Sequence, residues 1–293
     1  MILELWVLLG LVATAIHGFS TVYSKRLYDL APHPAQVAFF CLFATGIGSM
    51  VIIPFVEFRD PEGYWLDILL VGAPFALGHY CFVLANRYGD ASFVVPMMGL
   101  KVFFVAVFAA IWLNEFYSAW VYIGASGAVV GVFLLNNGNH HASPAALLLV
   151  LTNCALYAAT DIFIVRLFRA GFSAYEVMAY LFVGGALFML PLALVVLKGK
   201  WQVNRPFLKG LTLFGIGQAG GGILLMMSFG LAQKATMINI VQSSRGLFAV
   251  IAVYIISRLG IKGLEVLNRG QYLSRGLGSA LIASSIVLAL LAA

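Results

Sequence analysis

Ten stretches of about twenty mostly apolar residues recur along this chain, each ended by a short polar break. A hydrocarbon slab about 30 Å thick takes roughly 20 residues of helix to cross, so each stretch has the length of one crossing. The pattern predicts spans at about 3–23, 35–56, 65–86, 92–112, 118–136, 144–166, 174–197, 208–230, 237–257 and 275–291. The breaks carry turn chemistry and charge, as from Phe58 to Tyr64 and from Asn136 to Pro144. Lipid offers backbone polar groups no partner, so each span must be a helix or part of a closed barrel. The period-2 alternation of a barrel is absent. The chain is 62% hydrophobic and 10% charged, whereas soluble domains run near a quarter charged. A soluble globular enzyme is thereby excluded, and the fold class is an all-α integral membrane protein.

A repeat underlies the spans. Ala91 to Lys101 matches Ala235 to Arg245 at an offset of 144, which also places Gly78 on Gly222. Earlier in each half the offset is 140, placing Arg26 on Arg166 and Val37 on Val177; near each end Gly124 falls on Gly278. Five spans per unit is an odd number, so the second copy enters the membrane from the opposite side. The reading is two inverted five-helix repeats, residues 1–138 and 139–293, an architecture of transporters.

Three stretches carry a family likeness: His17 to Lys25 at the end of span 1; the run through Ala91, Pro96, Val105 and Leu113-Asn114-Glu115; and Ile123-Gly124 with Gly131 to Leu134 in span 5. In these the chain resembles the drug/metabolite transporter superfamily, and its EamA-type ten-helix carriers in particular. Val102 and Gly246 stand where the family commonly has proline, and the second half has no close copy of the Leu-Asn-Glu115 loop. The resemblance implies a cavity between two five-helix bundles, alternating access without ATP hydrolysis, and an end-cap or gate role for Glu115. It also implies an integral, multi-pass protein of a bacterial inner (plasma) membrane.

Five charged or imidazole side chains fall inside spans away from their ends: His17, His79, Lys101, Asp161 and Arg245. A charge at the bilayer centre costs about 2.5–3.5 kcal/mol on insertion scales, and Lys101 and Arg245 lie too far from their span ends to reach water through lipid. They are repeat equivalents, so an inverted repeat brings both to one cavity. Asp161 offsets only one of them, and the remaining positive charge favours an anion, carboxylate and phosphate above all. Arg245 offers a two-pronged fork and Lys101 a point charge, with Gln242 one turn before Arg245 as a further donor. The arrangement looks like that of plastid triose-phosphate translocators, relatives that hold phosphate with basic residues in comparable spans. The bland alternative is a permanent ion pair with Asp161 that only orients helices.

Thr14, His17, Thr21 and Ser24 form a stripe on span 1, whose mates in span 6 are Cys154, Tyr157, Asp161 and Ile164, flanked by Asn153 and Thr160. Cavity lining and helix-to-helix hydrogen bonding both fit such a stripe. His79 in span 3 reads as a cavity ligand, a proton carrier or a packing residue. Gln218 precedes Gly220-Gly221-Gly222, a run suited to close helix packing or to a helix opened beside a substrate. Pro74, Pro96 and Pro191 are candidate kinks in spans 3, 4 and 7. His140 and His141 have no third ligand near them in sequence, and Cys41, Cys81 and Cys154 lie in apolar runs without a CxxC, so no metal or other cofactor is expected.

The loops on the side of the termini hold Arg59, Arg166, Arg169 and Lys234. The opposite loops hold Lys25, Arg26, Arg87, Lys198, Lys200, Arg205, Lys209, Arg258, Lys262, Arg269 and Arg275. The positive-inside rule then puts both termini outside the cytoplasm, whereas the family likeness suggests the reverse. The expected function is a secondary carrier, exporter or exchanger, of a small anionic or zwitterionic metabolite, coupled to protons or a counter-anion. Export of amino acids or amphiphilic drugs is the alternative within transport. A non-transporting scaffold or sensor is the alternative of another class. No HExxH or GxSxG points to an intramembrane enzyme, and no aromatic-interleaved basic tract points to nucleic acid. The expected partners are the lipid bilayer and the small substrate, for a monomer or homodimer.

Overall fold

A computed structural model describes residues 5–89, 94–95, 97–116, 119–120, 123, 143–258 and 269–291. Its helices are α1 Leu5–Leu30, α2 Pro34–Ser49 with a 3₁₀ continuation Met50–Phe55, α3 Trp65–Tyr88, and α4 Lys101–Trp112 preceded by a 3₁₀ turn Met98–Leu100. They continue with α5 Pro144–Arg169, α6 Ala174–Leu197, α7 Arg205–Ala232, α8 Ala235–Ser243, α9 Arg245–Arg258 and α10 Arg269–Leu291. Among the described residues seven helical segments are long and apolar enough to cross a membrane, and Met98–Trp112 is a shorter apolar one. These segments coincide with predicted spans 1, 2, 3, 6, 7, 8 and 9. The helices generally run further into the loops than the apolar pattern did, because capping residues and not hydropathy set their ends. Most of predicted span 5 lies outside the described residues, as do Pro96, Gly124, His140 and His141.

The starts follow from local chemistry. Ser143 Oγ accepts from the Ala146 N–H, with Pro144 at the first helical position. Ser173 and Glu176 form a reciprocal capping box at the start of α6. Asn204 Oδ1 accepts from the Phe207 N–H at the start of α7. The stops use left-handed residues: Asn114 after α4, Lys198 after α6 and Gln233 after α7. Pro74 and Pro191 stay inside α3 and α6, and six residues of α6, Ala179–Gly184, form a wider π turn.

The most extensive pairings are α3 against α5 and α1 against α7; α4 also packs on α5, α1 on α8 and α9, α2 on α7, and α3 on α6. Glycines set the closest crossings. A Cβ at Gly215 would come within 2.8 Å of the Ala44 carbonyl oxygen, and one at Gly72 within 3.2 Å of the Tyr180 carbonyl oxygen. Small residues of this kind let membrane helices meet at backbone distance. Outward faces carry large apolar side chains such as Leu66, Leu69, Leu187, Leu194, Leu213 and Ile216. In water so much exposed apolar surface would drive aggregation; against acyl chains it is matched. The cysteines are free, Cys41 and Cys154 buried, which fits their reading as packing residues.

Gly215→Ala is expected to destabilise the protein by about 1–3 kcal/mol, because backbone cannot yield as a side chain does. Gly220→Ala, where a Cβ meets nothing within 4 Å, is expected to leave the unfolding temperature unchanged or slightly raised. Thermal unfolding of the two variants beside the parent checks the pair.

Candidate functional site

Both buried cations sit where a helix restarts. Lys101 opens α4 directly after the 3₁₀ turn Met98–Leu100, and Arg245 opens α9 directly after the break at Ser244 that ends α8. The breaks are 144 residues apart, the offset of the sequence repeat. Both side chains point into one small cavity of about 60 Å³, which His17, Tyr157, Asp161, Gln218 and Gln242 also line. Phe75, Thr160, Phe182 and Met226 complete much of its wall.

Lys101 Nζ lies 2.9 Å from Asp161 Oδ2 in a pair that is nearly excluded from solvent. The same Oδ2 accepts a 2.7 Å bond from Asn239 Nδ2, which also donates to the Ala235 carbonyl. Lys101 further donates to Gln242 Oε1 at 3.2 Å and rests 5.9 Å from the Tyr157 ring centroid. Lys101 is thus paired with Asp161, and the pair lies in the cavity wall.

Arg245 differs. Among the described residues no carboxylate pairs with it. One terminal nitrogen reaches Gln242 Oε1 at 3.4 Å and His17 Nδ1 at 3.2 Å; the other lies 3.8 Å from the Met98 sulfur. A guanidinium has only donors, so the His17 nitrogen facing it must present a lone pair. That places the His17 proton on Nε2, which lies 3.3 Å from the Gln218 carbonyl oxygen. Gln242 Oε1 stands between the two cations, which fixes its amide with nitrogen turned away. That nitrogen and Arg245 Nε are buried without a partner. Among the described residues the site holds two cations, one carboxylate and two unmatched donors, Gln242 Nε2 and Arg245 Nε, with Asn239 Oδ1 an unmatched acceptor beside them.

The repeat explains the imbalance. Its offsets place Arg245 on Lys101 and His17 on Tyr157, and each cation meets the matching ring. Asp161 falls on Thr21. At this position of its first helix the second half therefore has an acid, where the first half has the neutral Thr21.

Several singled-out residues lie elsewhere. His79 is buried behind Tyr157, between the rings of Phe75 and Phe214, and does not line the cavity; its Nδ1 is 3.5 Å from the Tyr157 hydroxyl. Among the described residues its Nε2 is buried without a hydrogen-bond partner. Thr14 and Ser24 donate to carbonyls of their own helix, at Gly10 and Thr21, and not to a neighbouring helix. Gly221 and Gly222 leave room for the His17 and Phe182 rings, which a Cβ at either position would overlap. The run serves close packing, and α7 continues through it unbroken. Glu115 lies beyond the C-terminus of α4 in contact with Arg169, which also reaches the Gln233 carbonyl. On the same side Arg166 pairs with Asp67 at 3.3 Å, and Arg59 reaches the Ala170 carbonyl.

Sequence reading missed Asn239 and Ser20. Asn239 lies three residues before Gln242, on the same helix face and inside the repeated stretch. Ser20 accepts a 2.9 Å bond from Gln218 Nε2, and it lies beside the span 1 stripe but off its spacing.

Removing the Asp161 charge leaves Lys101 buried without a counter-ion. Asp161→Asn is expected to cost about 3–5 kcal/mol, whereas Arg245→Gln, which removes an uncompensated charge, is expected to leave thermal stability unchanged or raised. Denaturation curves of the two variants check the contrast.

A crystal structure of another protein superposes with a TM-score of 0.69 over 98% of this chain and 96% of that one at 14% identity, a likeness of fold. No curated protein matches the sequence. Residues 4–137 match the EamA-like transporter family, as the motifs of the first half predicted, and the chain is an integral multi-pass membrane protein similar to that family of transporters.

Proposed function

We propose that the protein is a secondary carrier of a small metabolite bearing a carboxylate or phosphate, held between Arg245 and Lys101. The carrying observation is the character of what the site leaves unmatched: one positive charge in excess, with Gln242 Nε2 and Arg245 Nε as donors lacking acceptors. Buried donors demand acceptors, and an anionic oxygen supplies both the charge and the lone pairs. The two helix restarts add to this, since the N-terminal end of a helix favours negative charge.

The packing supports two inverted repeats of five spans. Pairing α3 with α5 becomes α7 with α1 when the halves are exchanged; α4 with α5 becomes α8–α9 with α1; α2 with α7 becomes α6 with α3. A cavity of about 60 Å³ is far below the roughly 300–1,000 Å³ of typical ligand sites. Substrate entry therefore requires the bundles to part. On the side of the loop after α4, the Arg169 contact with Glu115 ties the two halves together. Opening there breaks this contact, which gives Glu115 its gate role.

Uptake of labelled acetate, phosphate and amino acids into proteoliposomes tests the reading. Arg245→Gln is expected to weaken anion binding about ten- to a hundredfold, the worth of a hydrogen bond to a charged group. Arg245→Lys is expected to keep part of it, because the charge remains while the fork is lost. Unchanged anion transport in a folded Arg245→Gln protein overturns the proposal.

A further inference from the structure

A second hollow lies beside the cavity and has the opposite character. It has a volume of about 440 Å³ and runs between α1 and α7 against the end of α9. Its walls are Ala15, Ile16, Phe19 and Tyr23 from α1, Leu213, Phe214 and Gly217 from α7, and Ile256 from α9. They are almost wholly apolar, and several of these side chains are partly exposed on the outer face of the bundle. At 1.5 Å per residue, Ile16 to Tyr23 spans about 10 Å along the helix, less than one leaflet of the bilayer.

Of the two hydroxyl-bearing residues in this groove, Ser20 and Tyr23, Ser20 forms the partition. Ser20 lines the groove while Gln218 lines the cavity, and the two are joined by the 2.9 Å bond from Gln218 Nε2. Gln218 also holds His17 through its carbonyl, and His17 touches Arg245. The cationic site and the apolar groove thus share a wall whose polar closure is a single neutral hydrogen bond. A neutral hydrogen bond of this kind costs far less to break than a buried ion pair.

From this juxtaposition we infer that the substrate is an amphiphilic anion: its charged head is held at Arg245, and its single apolar chain passes between Ser20 and Gln218 into the groove. The inference rests on the anion reading above and adds the chain. Charge complementarity selects the head and apolar lining selects the tail.

The test is equilibrium dialysis of labelled acetate, hexanoate, octanoate and octylammonium against nanodiscs carrying the protein. Empty nanodiscs correct for partition into lipid, and binding is expressed against the free aqueous concentration. Affinity is expected to rise about fourfold per methylene from hexanoate to octanoate, the gain for an alkyl group leaving water. Ala15→Trp, which fills the groove and leaves the cavity residues in place, is expected to abolish that rise while acetate still binds. Octylammonium is expected not to bind above the empty-disc level. An octanoate with a photoactivatable chain end is expected to label Phe19 to Tyr23 or Leu213 to Gly217 in the parent protein, which needs no variant to fold. Anion binding without a chain-length gain, a gain that survives Ala15→Trp, equal binding of octylammonium, or photolabelling elsewhere each overturns the inference and leaves the anion reading standing. That flat chain-length series is also the result if a phospholipid tail holds the groove permanently. Failure of every anion to bind, acetate included, overturns the anion reading itself.

Discussion

The contact on which this site depends is the buried pair of Lys101 and Asp161. A lone ammonium in this position would be intolerable in lipid. The carboxylate makes it tolerable, and Asn239 and Gln242 satisfy further lone pairs and protons around it. The pair ties α4 to α5 and α8 at the depth where α4 restarts. Once that charge is settled, Arg245 stands out as the cation for which the protein provides only neutral acceptors: an imidazole, an amide oxygen and a thioether. The charge excess of the site is thereby localised on one guanidinium.

Helix positions were legible because lipid enforces them: an apolar run of the right length has no other way to satisfy its backbone. The convergence of Lys101 and Arg245 was legible too, because burial of two cations in an apolar chain is so unfavourable that a shared environment had to exist. The helix restarts before both residues were not. Gly99 and the nearby Pro96 are breakers at the first restart, but Ser243-Ser244 carries no strong breaker, and the proline common in the family is replaced by Val102 and Gly246. Periodicity does not register a change from 3.6 to 3.0 residues per turn over three positions.

Roles within the polar stripes were the least legible. Spacing places Thr14, His17, Thr21 and Ser24 on one face of α1, but it does not say whether a hydroxyl turns to a neighbour or to its own helix. Thr14 and Ser24 do the latter because a carbonyl one turn back is always within reach. An imidazole has no such local outlet, so His17 crosses to Gln218 and Arg245. His79 is an imidazole that remains among aromatic rings, and its difference from His17 lies in its neighbours and not in its spacing. Gln218 was visible as a polar residue in an apolar run, yet its partner Ser20 was hidden by being a common packing residue.

The two halves agree in their cations and differ in their anion, and this has a mechanical consequence for a carrier. If Asp161 had a counterpart in place of Thr21, each cation would be matched and an empty cavity would be as comfortable as a filled one. With a single acid, the empty cavity keeps one charge without an ion partner and two donors without acceptors, while an anion completes all three. Substrate then does more than occupy space: it removes the electrostatic cost of drawing the bundles together, so closure is favourable chiefly when the site is loaded. An asymmetry of one residue, Asp161 against Thr21, thus couples binding to movement in the proposed carrier.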